Sequence, residues 1–166
     1  MCGNGGRCLV AFAHHLGLVS GHCRFVAVDG FHEAHVVAPE WIELKMSEVG
    51  KVKSAEGYYF LDTGSPHYVS FVDDIKGVDV AEDGKAIRWS EEFQPGGTNV
   101  NFVEKTEDGI KVATFERGVE AETLSCGTGV TAAALCLSLE QGKEGCYEVP
   151  IDTRGGKLEV KFSREG

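Results

Sequence analysis

Several patterns that would point quickly to a function are missing from this sequence. No C-x-x-C pair occurs among the six cysteines, and their irregular spacing argues against a zinc site. Neither G-x-x-x-x-G-K-[ST] nor G-x-G-x-x-G is present, so the usual glycine-rich phosphate loops are excluded. No apolar run approaches the length of a membrane span, and no stretch has the form of a signal peptide. The expectation is a cytoplasmic chain with no membrane partner. Basic residues are few: 16 Lys and Arg against 26 Asp and Glu give a net charge of −10, which speaks against a nucleic-acid partner. Low-complexity tracts and flexible linkers are absent as well. Nothing in the text demands a cofactor, and no metal is expected.

What is present reads as a soluble globular chain. At 166 residues, with 42% apolar and 25% charged residues, it suits one ordinary domain or two small lobes. In a reducing compartment its cysteines should be free thiols. Cys8 and Cys136 lie in helical patterns, Cys23 and Cys146 in or beside strand-like runs, and all four read as buried structural residues. Cys2 and Cys126 differ, because glycine flanks each and a helical pattern follows. After Cys2-Gly3-Asn4-Gly5, the residues Leu9, Phe12, Ala13 and Leu16 repeat at helical spacing, and Gly17 stops the pattern. After Cys126-Gly127-Thr128-Gly129, the residues Val130, Ala133, Ala134 and Leu137 repeat it, and Gly142 stops it. The match is an internal repeat of two cysteine-headed helices in two lobes.

Strand patterns dominate the interval. Residues 24–29, 31–38, 41–46, 58–62 and 68–72 are rich in β-branched and aromatic residues, and Thr63-Gly64-Ser65-Pro66-His67 reads as a turn. A helix is predicted over residues 80–92. Runs at 99–104 and 110–115 flank Glu107-Asp108-Gly109, and runs at 148–152 and 157–162 flank Gly155-Gly156, which predicts two hairpins. The fold class is therefore α+β with mainly antiparallel sheets, in two pseudo-symmetric lobes. Residues 1–30 are assigned to the first lobe and 31–166 to the second.

The chemistry centres on the stretch 114–130, TFERGVEAETLSCGTGV. A cysteine at a helix N-terminus meets exposed N–H groups and a positive dipole, which lowers a thiol pKa and can hold a carboxylate. Two such thiols facing one another could act on one carbon, one removing a proton while the other delivers one, inverting its configuration. N–H groups at both helix starts would stabilise charge on a bound carboxylate as a carbanion develops. His67 sits on the predicted turn. His14 and His15 fall on the first helix, and His22, His32 and His35 carry no ligand spacing. Glu116-Arg117 offers adjacent opposite charges suited to a zwitterion, or a plain surface ion pair. Asn99 and Asn101 alternate with Val100 and Phe102, so both face one side of their hairpin, a side that solvent could also occupy.

At these residues the chain closely resembles the diaminopimelate epimerase family. Four ordered blocks carry the likeness: Met1 to Cys8, Thr63 to His67, Thr98 to Val103, and Glu116-Arg117-Gly118 through Glu122-Thr123 to Gly129. The resemblance implies a cofactor-independent isomerase, a racemase that needs no pyridoxal phosphate. It would interconvert LL- and meso-2,6-diaminopimelate in lysine and peptidoglycan precursor biosynthesis. Cys2 and Cys126 would be the two catalytic acid/bases, with His67 assisting Cys2 and Glu116 assisting Cys126. Gly3, Asn4, Gly127 and Thr128 would hold the reacting carboxylate. Ser65, Asn99, Glu116 and Arg117 would contact the rest of the amino acid. The partner is this small molecule, and a homodimer is compatible with the resemblance. Many family members have asparagine where Ser65 stands. Members also carry further segments before the first cysteine block and beyond Gly166, so the first lobe is expected to be incomplete and Met1 to match an internal methionine. Two other readings stand beside this one. A proline or hydroxyproline racemase relative would have histidine for Asn4 and proline for Ser125. A shortened chain could also serve only as a binding module.

Overall fold

The computed structural model describes residues 1–165, which divide into two compact units after Glu48. In the first, helix α1 (Gly3–His15) lies on a three-stranded antiparallel sheet, β1 (His22–Ala27), β2 (Gly30–Ala38) and β3 (Trp41–Leu44), in the order β1-β2-β3. β1 and β2 form a hairpin that closes where Ala27 pairs with Gly30. The boundary expected at residue 30 therefore falls at the start of β2, and the unit continues to Glu48.

α1 does not rest on the apolar stripe its sequence suggests. Leu9, Phe12 and Leu16 are exposed, whereas Gly3, Gly6 and Val10 are buried. These three recur at i, i+3 and i+7, a second face of the same helix. The small face wins because it allows close approach. A Cβ at Gly6 would sit 2.9 Å from Met1 Sδ and 3.2 Å from both Phe25 Cζ and Leu44 Cδ2. Val10 then packs with Ala34, Val36, Phe25 and Leu44.

The second unit is built on an eight-stranded sheet. Its strands are β4 (Lys53–Ala55), β5 (Tyr58–Asp62), β6 (Pro66–Val72), β7 (Asn99–Lys105), β8 (Ile110–Glu116), β9 (Ala121–Thr123), β10 (Gly145–Thr153) and β11 (Gly156–Arg164). The order is β11-β10-β8-β7-β6-β5-β4. The free edge of β8 is shared, with β10 pairing at Ile110-Lys111 and β9 at Thr114 to Glu116. Both predicted hairpins form, β7–β8 and β10–β11. The expectation of mainly antiparallel sheets holds except at β6–β7 and β8–β10, which are parallel. Parallel neighbours need a crossover, and helices supply it: α2 (Val80–Arg88) between β6 and β7, and α3 (Gly127–Gln141) before β10.

Pairing also explains why the turn expected at residues 63–67 is shorter. Pro66 and His67 belong to β6, because His67 pairs with Leu61 on one side and Asn99 on the other. β4 and β9 went unpredicted, since three residues carry too little pattern. The helix expected over 80–92 ends at Arg88, and a short 3-10 turn at Glu91–Phe93 follows.

Alternation along the central strands divides their side chains between two layers. Val100, Phe102, Ala113 and Phe115 meet Val80 of α2. Val69, Val103, Ile110 and Val112 meet Val130, Ala133, Ala134 and Leu137 of α3. α3 is buried nearly all round and closes on Gly142, whose φ of 66° suits the residue that ends a helix. Among the described residues no helix is long and apolar enough to cross a membrane.

α2 sits so close to β8 that a Cβ at Gly84 would lie 2.4 Å from Phe115 Cβ. In an open helix, Gly→Ala stabilises by up to about 1 kcal/mol. Here Gly84→Ala should instead destabilise by roughly 1–3 kcal/mol through overpacking, read as a lower melting temperature. An unchanged or higher melting temperature would contradict this seating of α2.

Candidate active site

Both glycine-flanked cysteines are the residues at which a helix starts. Cys2 precedes α1 and Cys126 precedes α3, each in extended backbone (φ −79°, ψ 118° and φ −121°, ψ 114°). Each backbone carbonyl accepts a first-turn N–H, from Gly6 and Val130 respectively, at 2.9 Å. Neither thiol makes a capping hydrogen bond, so both remain available for chemistry.

In the first unit Cys2 is exposed, Gly3 buried and Asn4 half-buried, with the Asn4 amide oxygen bonded to Arg7. The second unit gathers more of the expected residues around the start of α3. The Cys126 sulfur lies 3.4 Å from Thr128 Oγ1, which lies 2.9 Å from His67 Nε2. His67 Nε2 is also 3.0 Å from Ser65 Oγ, which accepts from Asn99 Nδ2 at 3.2 Å. The Asn99 side-chain oxygen, Oδ1, accepts the backbone N–H of Arg117 at 2.9 Å. The turn at residues 63–65 is tied to the same place, since Thr63 Oγ1 donates to the Thr128 carbonyl at 2.9 Å.

Strand register explains this convergence. Asn99 and Asn101 are 3% and 0% exposed, so their side of the hairpin is the α3 layer and not solvent. His67 pairs with Asn99 and Asn101 with Thr114, which sets one polar stripe across β6, β7 and β8 beneath the helix start. Gly129 makes room for it: a Cβ there would lie 2.4 Å from Asn101 Oδ1 and 3.4 Å from His67 Cε1.

Burial sets the protonation states. His67 is fully buried, which with the nearby Arg117 charge pushes its pKa down to about 3. The expected lowering of the Cys126 pKa does not occur. Burial raises it and the Glu116 carboxylate adds to that, against the Thr128 hydroxyl and the N–H groups of Gly129 and Thr128. Desolvation disfavours a thiolate more than one helix end can offset.

Glu116 and Arg117, half-buried at the end of β8, do not form the simple ion pair that adjacency allows. The Arg117 guanidinium donates to the Gly96 and Gly97 carbonyls at 3.2 and 3.5 Å. Gly127 is buried in the first turn of α3. The other histidines all belong to the first unit. All six cysteines are free. Cys136 is buried, its thiol pushed up to about 12, and Cys23 is half-buried. Cys8 and Cys146 are exposed, contrary to the expectation of burial, because α1 and β10 turn those positions outward. Among the described residues no group of three or more His, Cys, Asp and Glu side chains could hold a metal ion.

Sequence reasoning missed Thr63, Thr114 and Gly129 as members of this cluster, and assigned Asn101 no role. The available signal was a polar residue between two core-type residues, as in Val100-Asn101-Phe102 and Ala113-Thr114-Phe115.

Comparison with known proteins gives a consistent picture. The sequence profile of the diaminopimelate epimerase family matches residues 59–166. A diaminopimelate epimerase of Flavobacterium psychrophilum is 46% identical over 99% of this chain and 64% of its own length. Those of Chlorobaculum tepidum and Aquifex aeolicus are 44% and 43% identical, over 66% and 63% of their lengths. The chain thus spans less than two thirds of the length of these relatives. A Bacillus anthracis phenazine biosynthesis protein of the PhzF family superposes with a TM-score of 0.74 over 99% of this chain and 68% of its own, at 11% identity, a likeness of fold alone.

The buried ring has a consequence for stability. In the unfolded chain His67 takes up a proton near pH 6.5, but the folded protein resists it until about 3. The unfolded state therefore binds more protons in that interval, and stability falls as pH drops through it, by at most about 1.4 kcal/mol per pH unit. Denaturant unfolding at pH 6.5 and 5 should show a smaller loss for His67→Gln than for the parent. Equal losses would contradict a neutral buried ring.

Proposed function

The chain belongs to the diaminopimelate epimerase family, and from that premise we propose that it acts on diaminopimelate as a cofactor-independent epimerase. The observation that carries this reading is the setting of Cys126, a thiol free of capping duty at a helix start and beside a buried hydrogen-bonded cluster. Cys2 repeats the local arrangement at the start of α1.

The chemistry is a two-base transfer. One thiolate removes the α-proton while the other group, held as a thiol, delivers a proton to the opposite face of the carbon. The pair must therefore rest in opposite states. Burial favours the neutral form of Cys126, which suits it to be the donor until its proton is given up. Its thiolate would then be eased by the Thr128 hydroxyl and the N–H groups of Thr128 and Gly129. Carbanion formation is costly because charge builds on the substrate carboxylate. The first-turn N–H groups of Gly127 and Thr128, with those of Gly3 and Asn4, are the proposed holders of that carboxylate. Asn99, Ser65, Glu116 and Arg117 are the proposed contacts to the remainder of the zwitterion. Glu116 is the proposed assistant to Cys126, in keeping with its electrostatic influence on that thiol. For His67 the resemblance implies assistance to Cys2, whereas its hydrogen bonds within the second unit run to Asn101, Ser65 and Thr128.

The test is loss of the substrate α-hydrogen in deuterated water, followed with LL- and meso-diaminopimelate. The parent chain should exchange and epimerise. Cys2→Ala and Cys126→Ala should each lower epimerisation at least about a hundredfold, the scale of a lost general acid or base. Full turnover in either variant would overturn the two-base reading. A parent chain that binds diaminopimelate without exchanging it would overturn the catalytic one in favour of a binding module.

A further inference from the structure

We propose that Asn101 and Thr114 are positioning residues that hold His67 as the Nε2–H tautomer, and that through Thr128 this ring directs a hydroxyl proton onto the sulfur of Cys126. The inference takes its functional meaning from the acid/base role proposed for Cys126, but its geometry stands without substrate.

The direction of each hydrogen bond follows from groups that can only accept or only donate. The Tyr68 carbonyl can only accept, so the Asn101 atom 2.9 Å from it is Nδ2. The opposite end of the amide, Oδ1, then accepts from the Thr114 hydroxyl at 2.9 Å. Thr114 and Tyr68 together fix which way the amide points. Nδ2 has a second hydrogen, and it faces His67 Nδ1 at 3.0 Å. Nδ1 must therefore present a lone pair, because a proton there would oppose another donor in a buried site. The ring proton is left on Nε2.

That N–H has two acceptors in reach, Thr128 Oγ1 at 2.9 Å and Ser65 Oγ at 3.0 Å. Ser65 Oγ already receives the Asn99 amide, whose orientation the Arg117 N–H fixes in the same manner. Thr128 Oγ1, accepting from the ring, has its own hydrogen to give. Its neighbours are Ser65 Oγ at 3.3 Å and Cys126 Sγ at 3.4 Å. Ser65 Oγ accepts the Asn99 amide and has Thr128 Oγ1 as the acceptor in reach of its own hydrogen, so the Thr128 hydroxyl, accepting from ring and serine, turns its hydrogen to the sulfur. The relay therefore runs from Thr114 through Asn101, His67 and Thr128 to Cys126.

The charged surroundings act on its two ends. Arg117, just past β8, disfavours a charged His67 ring. Glu116, the last residue of β8, disfavours the Cys126 thiolate, whereas the Thr128 and Gly129 N–H groups of α3 favour it. A hydroxyl held as donor to sulfur favours the thiolate too, and a mis-set ring would turn that hydroxyl away.

The experiment uses the full chain without substrate. Nitrogen-15 NMR of labelled histidine reads the His67 tautomer, and iodoacetamide alkylation followed at the Cys126 peptide by mass spectrometry gives a pH profile. The parent ring should carry its proton on Nε2. Thr128→Val should move the Cys126 profile up by about one pH unit, a roughly tenfold loss of alkylation rate on its rising limb. Thr128→Ser, which keeps the hydroxyl, should restore the parent profile. Asn101→Leu, which introduces no charge, should mix the two tautomers, move the profile in the same direction, and add nothing in the Thr128→Val background. A parent ring protonated on Nδ1 would overturn the proposal. So would a Thr128→Val profile equal to the parent's, or an Asn101→Leu shift that persists without the Thr128 hydroxyl. Should Asn101→Leu fail to fold, the parent spectrum and the Thr128 pair decide the matter alone. None of these readings depends on epimerase activity, so a failed relay and a failed catalytic assignment give different results.

Discussion

The approach of Gly129 to Asn101 is the contact on which the second unit's site depends. With no side chain at that position, the first turn of α3 comes down onto the sheet until a Cβ would stand 2.4 Å from the Asn101 carbonyl oxygen. Any other residue would lift the helix start or push the amide aside. Thr128 and Cys126 would then lose their distances to His67, because all three are set by the same seating. The glycines around Cys126 thus serve two ends at once. They leave N–H groups free at the helix terminus, and they let that terminus reach a buried polar stripe.

Burying a stripe of His67, Asn99, Asn101 and Thr114 between a sheet and a helix would be costly if any of them lacked a partner. Each is hydrogen-bonded, and the bonds run in one consistent direction from fixed backbone acceptors and donors. Such a network is rigid, because reversing one member leaves two donors or two acceptors facing each other. It also holds two titratable groups in their uncharged forms, the ring through desolvation and the Arg117 charge, the thiol chiefly through desolvation. Opposing pulls on Cys126 leave it a thiol with donors ready to stabilise its thiolate. That is a suitable state for a group that must both give and take a proton.

The two cysteine-headed helices were legible from glycine placement alone, because helix starts and stops have local chemistry. Gly17 and Gly142 both take positive φ at the ends of α1 and α3. The α3 core residues were legible too, since Val130, Ala133, Ala134 and Leu137 are buried as their spacing implies. The same spacing misled for α1. There Leu9, Phe12 and Leu16 are exposed, and the helix rests on Gly3, Gly6 and Val10, where small size outweighs apolar area. Hydropathy patterns register how greasy a face is, not how near a sheet can come to it. His67 was misread as a turn residue for a similar reason: glycine, serine and proline before it look like a loop, and only pairing with Leu61 and Asn99 makes it a strand.

The amino-acid sequence by itself determined the class of fold, the two thiols at helix starts, and the set of residues that mark the family. These follow from local signals: capping, periodicity and short motifs whose meaning does not depend on distant partners. Only the tertiary structure decided that Asn101 and Thr114 belong with His67, that Thr128 lies between the ring and Cys126, and that the Cys126 thiol is raised and not lowered. Each of these rests on strands and a helix separated by tens of residues coming into one register. The electrostatics of the site are set by the desolvation which that packing imposes, and no stretch of sequence carries that information alone.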